Sequence, residues 1–144
     1  MALNTCSEGI SFARELEETA ASFYERLAEL FASDAETFRG YAAANKKNVS
    51  TVERAYFGVI TDALEGCYAF NIEPADYAID VTLPEGVTRA EALEKAVAVE
   101  ETMVRFYTDA AEQSKGLMAD VPRAFTIVAR KRGERIDELK AMAS

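Results

Sequence analysis

Glu17-Glu18-Thr19-Ala20-Ala21-Ser22-Phe23-Tyr24 and Glu100-Glu101-Thr102-Met103-Val104-Arg105-Phe106-Tyr107 are one phrase written twice. The copies lie 83 residues apart, and Ala28-Glu29 and Ala111-Glu112 extend the match. An internal repeat constrains the architecture before any single residue does. Seven residues are close to two helical turns, so Glu17 and Tyr24 share a helix face, as do Glu100 and Tyr107. Each copy stands among Ala, Leu, Phe and Val at helical spacing. That puts a carboxylate and a phenol on or beside a stripe due to be buried. A buried glutamate is uncommon without a partner, so two of them, symmetrically placed, mark the first candidate site.

Outward from the first copy, Ile10, Ala13, Leu16, Ala20, Phe23, Leu27 and Leu30 recur at helical spacing and predict a helix over 10–32. Ser33-Asp34 offers a capping residue for a second helix over 35–64, whose inner face carries Phe38, Tyr41, Ala42, Val49, Val52 and Tyr56 and which Gly66 ends. Outward from the second copy, Thr88 with Glu91 reads as a capping box for a helix over 89–114, which Gly116 ends. Asp120 reads as the cap of a last helix over 121–143, with Pro122 tolerated in its first turn and Phe125, Val128, Ala129, Ile136 and Leu139 as its stripe. Residues 66–87 hold two of the three prolines, Pro74 and Pro84, yet they also hold Tyr68, Phe70, Ile72, Tyr77, Ile79 and Val81. Such a stretch reads as a strap laid along the body rather than a free linker, with a short strand at 78–82 as one reading of its middle. The short first and last links make antiparallel neighbours, and the long middle one can run the length of the body. The expectation is one all-α domain over 1–144, an antiparallel four-helix bundle with one long crossover between its second and third helices.

Composition removes whole classes of function. The chain of 144 residues can bury one real core. It contains no histidine, which removes Ser-His-Asp and Cys-His catalysis, imidazole bases and every metal site that needs a His ligand. A net charge of −9 argues against nucleic acid and anionic membranes as partners. No apolar run reaches the ~20 residues of a membrane span, and Met1 to Ile10 lacks the pattern of a signal peptide, so a cytoplasmic location is expected. Cys6 and Cys67 form no C-x-x-C pair and are expected to be reduced, and Cys67, with no basic cluster near it in sequence, to be inert.

The phrase Glu-x-x-Ala-x-x-Phe-Tyr at Glu17–Tyr24, its echo at Glu100–Tyr107 and the long middle connection resemble the ferritin-like superfamily, most of all its rubrerythrin-related branch. The likeness runs from about Ser7 to Ala143. It implies a ferritin-like bundle and an oxidoreductase whose two metal ions are held by one Glu from each of two helices and a Glu-x-x-His pair from each of the other two. Glu17 and Glu100 match the single glutamates. In the second helix, however, Phe38-Arg39-Gly40-Tyr41-Ala42-Ala43-Ala44 leads to Asn45 and Asn48, and in the fourth Phe125-Thr126-Ile127-Val128-Ala129-Arg130-Lys131 leads to Arg132 and Arg135. The implied Glu-x-x-His pairs read Asn-x-x-Asn and Arg-x-x-Arg. Glu134, Asp137 and Glu138 fall off the inner stripe of the last helix, and Glu53 lies two turns beyond Asn45, so none restores the set.

Two facing buried carboxylates repel, and each pays several kcal/mol in desolvation. A guanidinium, planar and always charged, can neutralise them in place of metal. The expected site is therefore an Arg–Glu cluster of Glu17, Glu100, Arg132 and Arg135, with Asn45, Asn48, Tyr24 and Tyr107 completing its hydrogen bonds. On this reading the chain holds no cofactor and is a non-catalytic binding or structural module, a homodimer or a subunit for another protein. The alternative is a metalloprotein that uses Glu17, Glu100 and oxygen ligands such as Asn45, a set better suited to Mg, Mn or Ca than to a redox iron pair, although Fe or Mn is what the resemblance implies. A third is a pocket for a small apolar ligand between the helices.

Overall fold

The apolar spacing becomes four long helices: α1 (Cys6–Leu30), α2 (Ala35–Gly58), α3 (Arg89–Gln113) and α4 (Asp120–Ala143). The computed structural model describes the backbone of residues 6–58, 71–113 and 120–143, and the side chains of 8–54, 71–113 and 122–143. The described residues are all-helical, with four helices, two short 3-10 turns and no extended strand.

The buried positions follow a 3-4 spacing that repeats between halves. In α1 they include Ile10, Ala13, Glu17, Ala20, Tyr24 and Leu27, and in α3 Leu93, Ala96, Glu100, Met103, Tyr107 and Ala110, with Leu16, Phe23, Val99 and Phe106 buried beside them. In α2 they are Phe38, Tyr41, Asn45, Asn48 and Val52, and in α4 Phe125, Val128, Arg132, Arg135 and Leu139. A 3-4 alternation averages 3.5 residues per turn, the seam along which helices pack side by side in bundles. The six polar residues interrupt these stripes at one level, with apolar layers to either side.

α1 packs most extensively on α2, and α3 on α4. Tyr24 stacks on Phe38 while Arg14 reaches Glu53, so α1 and α2 are antiparallel. Tyr107 meets Phe125 while Glu100 meets Arg132, so α3 and α4 are antiparallel too. Phe12 touches Phe106 and Tyr24 reaches Glu100, so α1 also opposes α3, and α2 and α3 point the same way.

Local differences from expectation have local causes. α1 starts at Cys6, a turn before Ile10, and ends at Leu30. Between α1 and α2 a 3-10 turn over Ala32–Asp34 replaces the expected side-chain cap. The Asp34 carboxylate instead accepts Arg89 Nε and Nη2 at 2.6 and 3.3 Å, and Arg89 Nη1 donates to the Met142 carbonyl at 3.0 Å. One guanidinium thus ties three helix ends together. The capping box forms: the Thr88 N–H donates to the Glu91 carboxylate at 2.9 Å and the Glu91 N–H to Thr88 Oγ1 at 3.1 Å. Asp120 lies inside α4 as its first residue rather than ahead of it. The expected end of the second helix at 64, and the stops at Gly66 and Gly116, lie outside the described residues.

Residues 78–82, where a short strand is one reading of the sequence, form none. Pro74–Tyr77 forms a 3-10 turn, and the chain after it lies extended against α3. Ile72 and Tyr77 are buried, and Ile79, Val81, Leu83 and Val87 pack on the core. The Tyr77 hydroxyl donates to Asp109 at 2.5 Å under the Arg105 guanidinium, which sits 4.9 Å from the ring centre. No helix among the described residues is long and apolar enough to cross a membrane.

Candidate functional site

At the polar level the bundle brings together residues from all four helices. Arg132 extends from the buried stripe of α4 between the glutamates of α1 and α3. Its Nη1 donates to Glu100 Oε1 at 2.5 Å. Its Nε donates to Glu17 Oε2 at 3.2 Å, and its Nη2 donates to Glu17 Oε1, so Glu17 is gripped by both prongs of the fork. Arg135, one turn on, donates through Nη1 to Glu100 Oε2 at 3.3 Å and to Asn45 Oδ1 at 2.7 Å, and through Nη2 to the Tyr41 carbonyl at 3.3 Å. Asn45 Oδ1 also accepts from Arg132 Nη2 at 3.1 Å, and its Nδ2 donates to the Glu17 carbonyl at 3.4 Å. Asn48 is buried one turn further along α2 and makes no hydrogen bond to either arginine.

The tyrosines complete the cluster by crossing over. The Tyr24 hydroxyl donates to Glu100 Oε2 and that of Tyr107 to Glu17 Oε2, both at 2.6 Å. Each phenol therefore serves the glutamate of the other copy of the repeat. The reason is helical rise. A tyrosine seven residues from its own glutamate lies about 10 Å along the axis, and the antiparallel partner brings the other glutamate within reach of its hydroxyl.

Glu17, Glu100, Arg132 and Asn45 are all within 1% of complete burial. Two carboxylates face two guanidiniums, so the cluster is neutral as a set. No buried side-chain nitrogen or oxygen among the described residues lacks a partner. This is the condition under which buried charges are tolerated at all. Burial works against the Arg132 charge, but the facing Glu100 and Glu17 carboxylates outweigh it and hold its pKa above the usual guanidinium value. Burial, then the charge of Glu100, pushes the Tyr24 phenol well above its ordinary range. Burial, then Glu17, does the same to Tyr107.

Sequence reasoning missed Tyr41. Its ring stacks under Arg135, whose guanidinium carbon lies 4.5 Å from the ring centre and 5.2 Å from that of Tyr24. Its hydroxyl donates to Glu138 at 2.8 Å, and burial, then that bond, raises its pKa. The signal was available: Tyr41 precedes Asn45 by one turn and Glu138 follows Arg135 by nearly one. Glu53, weighed as a ligand, pairs with Arg14 at the surface instead.

Among the described residues, no group of three or more Cys, Asp, Glu or His is arranged to hold a metal ion. Cavities lined by described residues open along the helix faces. One of about 230 Å³ between α1 and α2 has Glu17 and Asn45 at its floor and Glu18, Glu25 and Lys46 at its rim. Another of about 530 Å³ lies between the strap and α3. No family model, curated protein or solved structure matches the chain.

Proposed function

We propose that this chain belongs to the ferritin-like class of four-helix bundles, with a crossover from α2 to α3. Within that class we place it near the rubrerythrin-related proteins, as a member that has exchanged its di-metal centre for an ion cluster and acts as a non-catalytic binding or structural module. The helix directions support the class: α2 and α3 point the same way, as a crossover connection would require, and Ile72, Tyr77, Ile79, Val81 and Leu83 pack on the core. The residues at the polar level support the rest. A pair of redox metal ions needs several carboxylates and imidazoles free to bind. Here both candidate carboxylates are held by arginine, the remaining side chains are amides and phenols, and fixed cations stand where metal charge is needed.

The observation that carries this reading is Arg132, fully buried and bonded at once to Glu17 and Glu100. With the core neutral and filled, the outer helix faces are the working surfaces, toward a second copy of the chain or another partner. The test is elemental analysis of the cytoplasmically expressed protein, and of the apo protein after incubation with Fe(II) or Mn(II). The expected result is no stoichiometric metal and no rise in melting temperature on metal addition, since an ion specific for the folded state must raise it. Stoichiometric iron or manganese, lost on Glu17→Ala, replaces this reading with the metal-binding oxidoreductase. Sedimentation decides whether the module is a homodimer.

A further inference from the structure

The repeat makes the two hairpins, α1–α2 and α3–α4, near-equivalents in their buried stripes, yet it divides the ions unequally. Glu17 matches Glu100, and Tyr24 matches Tyr107, each phenol bonding the opposite glutamate at 2.6 Å. Tyr24 rests against Phe38 with ring centres 6.2 Å apart, and Tyr107 against Phe125 at 6.0 Å. Counted from those phenylalanines, Asn45 holds the position of Arg132, and Asn48 that of Arg135. The α1–α2 hairpin therefore brings one buried carboxylate and two amides to the shared core. The α3–α4 hairpin brings one carboxylate and two guanidiniums.

We infer that this imbalance is a pairing code: the inner face of the α1–α2 hairpin is an interaction surface built for the arginine-bearing hairpin and against a second copy of itself. Two α1–α2 hairpins face to face would bury two carboxylates with no cation. Two α3–α4 hairpins would bury four guanidiniums against two carboxylates. Only the mixed pair is neutral, and an uncompensated buried ion is among the costliest things a core can hold. Rejecting a wrong partner by unpaired charge is how closely similar surfaces are told apart. The bonds that carry the code cross between hairpins: Arg132 to Glu17 and Asn45, and Arg135 to Asn45 and the Tyr41 carbonyl. The code does not depend on the metal-free reading, and it accepts an arginine-bearing hairpin from its own chain or from another copy.

Because Asn45 and Arg132 are equivalent in register, a cation moved from one to the other keeps the balance. The test compares R132N, N45R and N45R/R132N in the full-length chain by thermal unfolding and circular dichroism. Each single variant is expected to melt below the wild type, R132N by on the order of 10 °C. The double variant is expected to recover more than half of the R132N loss. If R132N does not fold at all, a folded double variant supports the code. A double variant that melts no higher than R132N, or that stays unfolded, overturns it. R132K, which keeps the charge without the fork, is expected between R132N and the wild type, and an R132K as unstable as R132N means that shape rather than charge sets the pairing. Refolding N45R and R132N chains together extends the test between molecules. Dimers more stable than either variant alone are expected, since exchange of hairpins balances both cores, and two unchanged separate melts overturn pairing between copies.

Discussion

The cluster around Arg132 and the anchor of the strap around Lys95 are built from the same chemistry in opposite surroundings. Lys95 Nζ donates to Asp80 at 3.1 Å, to the Thr82 carbonyl at 2.6 Å and to Thr82 Oγ1 at 3.1 Å. Thr82 in turn donates to Asp80 through its N–H at 3.0 Å and its hydroxyl at 2.6 Å. The anchor makes five such bonds, half as many as the cluster. The Asp80 side chain is 71% exposed, whereas those of Arg132, Glu17 and Glu100 are 0% exposed. Water reaches the Asp80 end of the anchor but not the charged groups of the cluster. An ion pair at the surface is a small net term. A buried one becomes decisive when a partner is lost, because the other ions cannot be rehydrated.

The sharpest way to break this contrast is Arg132→Met. It leaves Glu17 and Glu100 buried with Arg135 as the remaining cation, and is expected to cost ~3–5 kcal/mol in denaturant unfolding, with little relief from added salt. A loss below about 1 kcal/mol would make the cluster no different from the anchor. Alkaline pH comes next. The folded-state pKa values of Tyr24 and Tyr107 are raised, so their contribution is complete below the unfolded value of about 10 and is lost as pH climbs toward the folded value. Stability is expected to fall by about 1.4 kcal/mol per pH unit for each phenol above pH ~10. Phenolate absorbance of these two residues should then appear together with loss of helix rather than before it. Gradual ionisation ahead of unfolding would contradict their burial.

Tyr107→Phe removes one donor to Glu17 while leaving Arg132 in place, and is expected to cost ~1–3 kcal/mol. Tyr24→Phe should match it, because the two bonds are equivalents across the repeat, and unequal losses would show where that equivalence stops. The smallest effect belongs to the anchor. Bonds from Thr82 and Lys95 lower the Asp80 carboxyl to about 2, so its contribution is present above the unfolded value of about 4 and fades as pH falls toward 2. Asp80→Asn is expected to shift the melting temperature by less than about 4 °C, and high salt should erase the difference. A larger shift would mean that the strap is held by charge rather than by Ile72 and Tyr77.

Much of this was legible in the chain because helices are written locally. The 3-4 spacing of apolar residues, the Thr88–Glu91 capping box and the repeat are short-range patterns, and they specify four helices and their inner faces. The register from Phe125 also put Arg132 on a buried stripe, level with Glu17 and Glu100. The helix junction was less legible, since whether Asp34 caps α2 depends on Arg89, 55 residues away. Tyr41 read as an ordinary core ring because its partners Arg135 and Glu138 sit on another helix, although its place one turn before Asn45 was a local pointer to the cluster.

The sequence by itself determined which helix faces turn inward and that the expected polar cluster balances in charge, because burial follows helical period and charge is a property of composition, although Ile136, expected on the inner stripe, is only half-buried. Only the tertiary structure decided who bonds whom: each tyrosine to the opposite glutamate, Arg132 to both glutamates, and Arg135 against the rings of Tyr24 and Tyr41. Those choices depend on the relative height of antiparallel helices, and a shift of a single turn, about 5.4 Å, would redistribute every one of them.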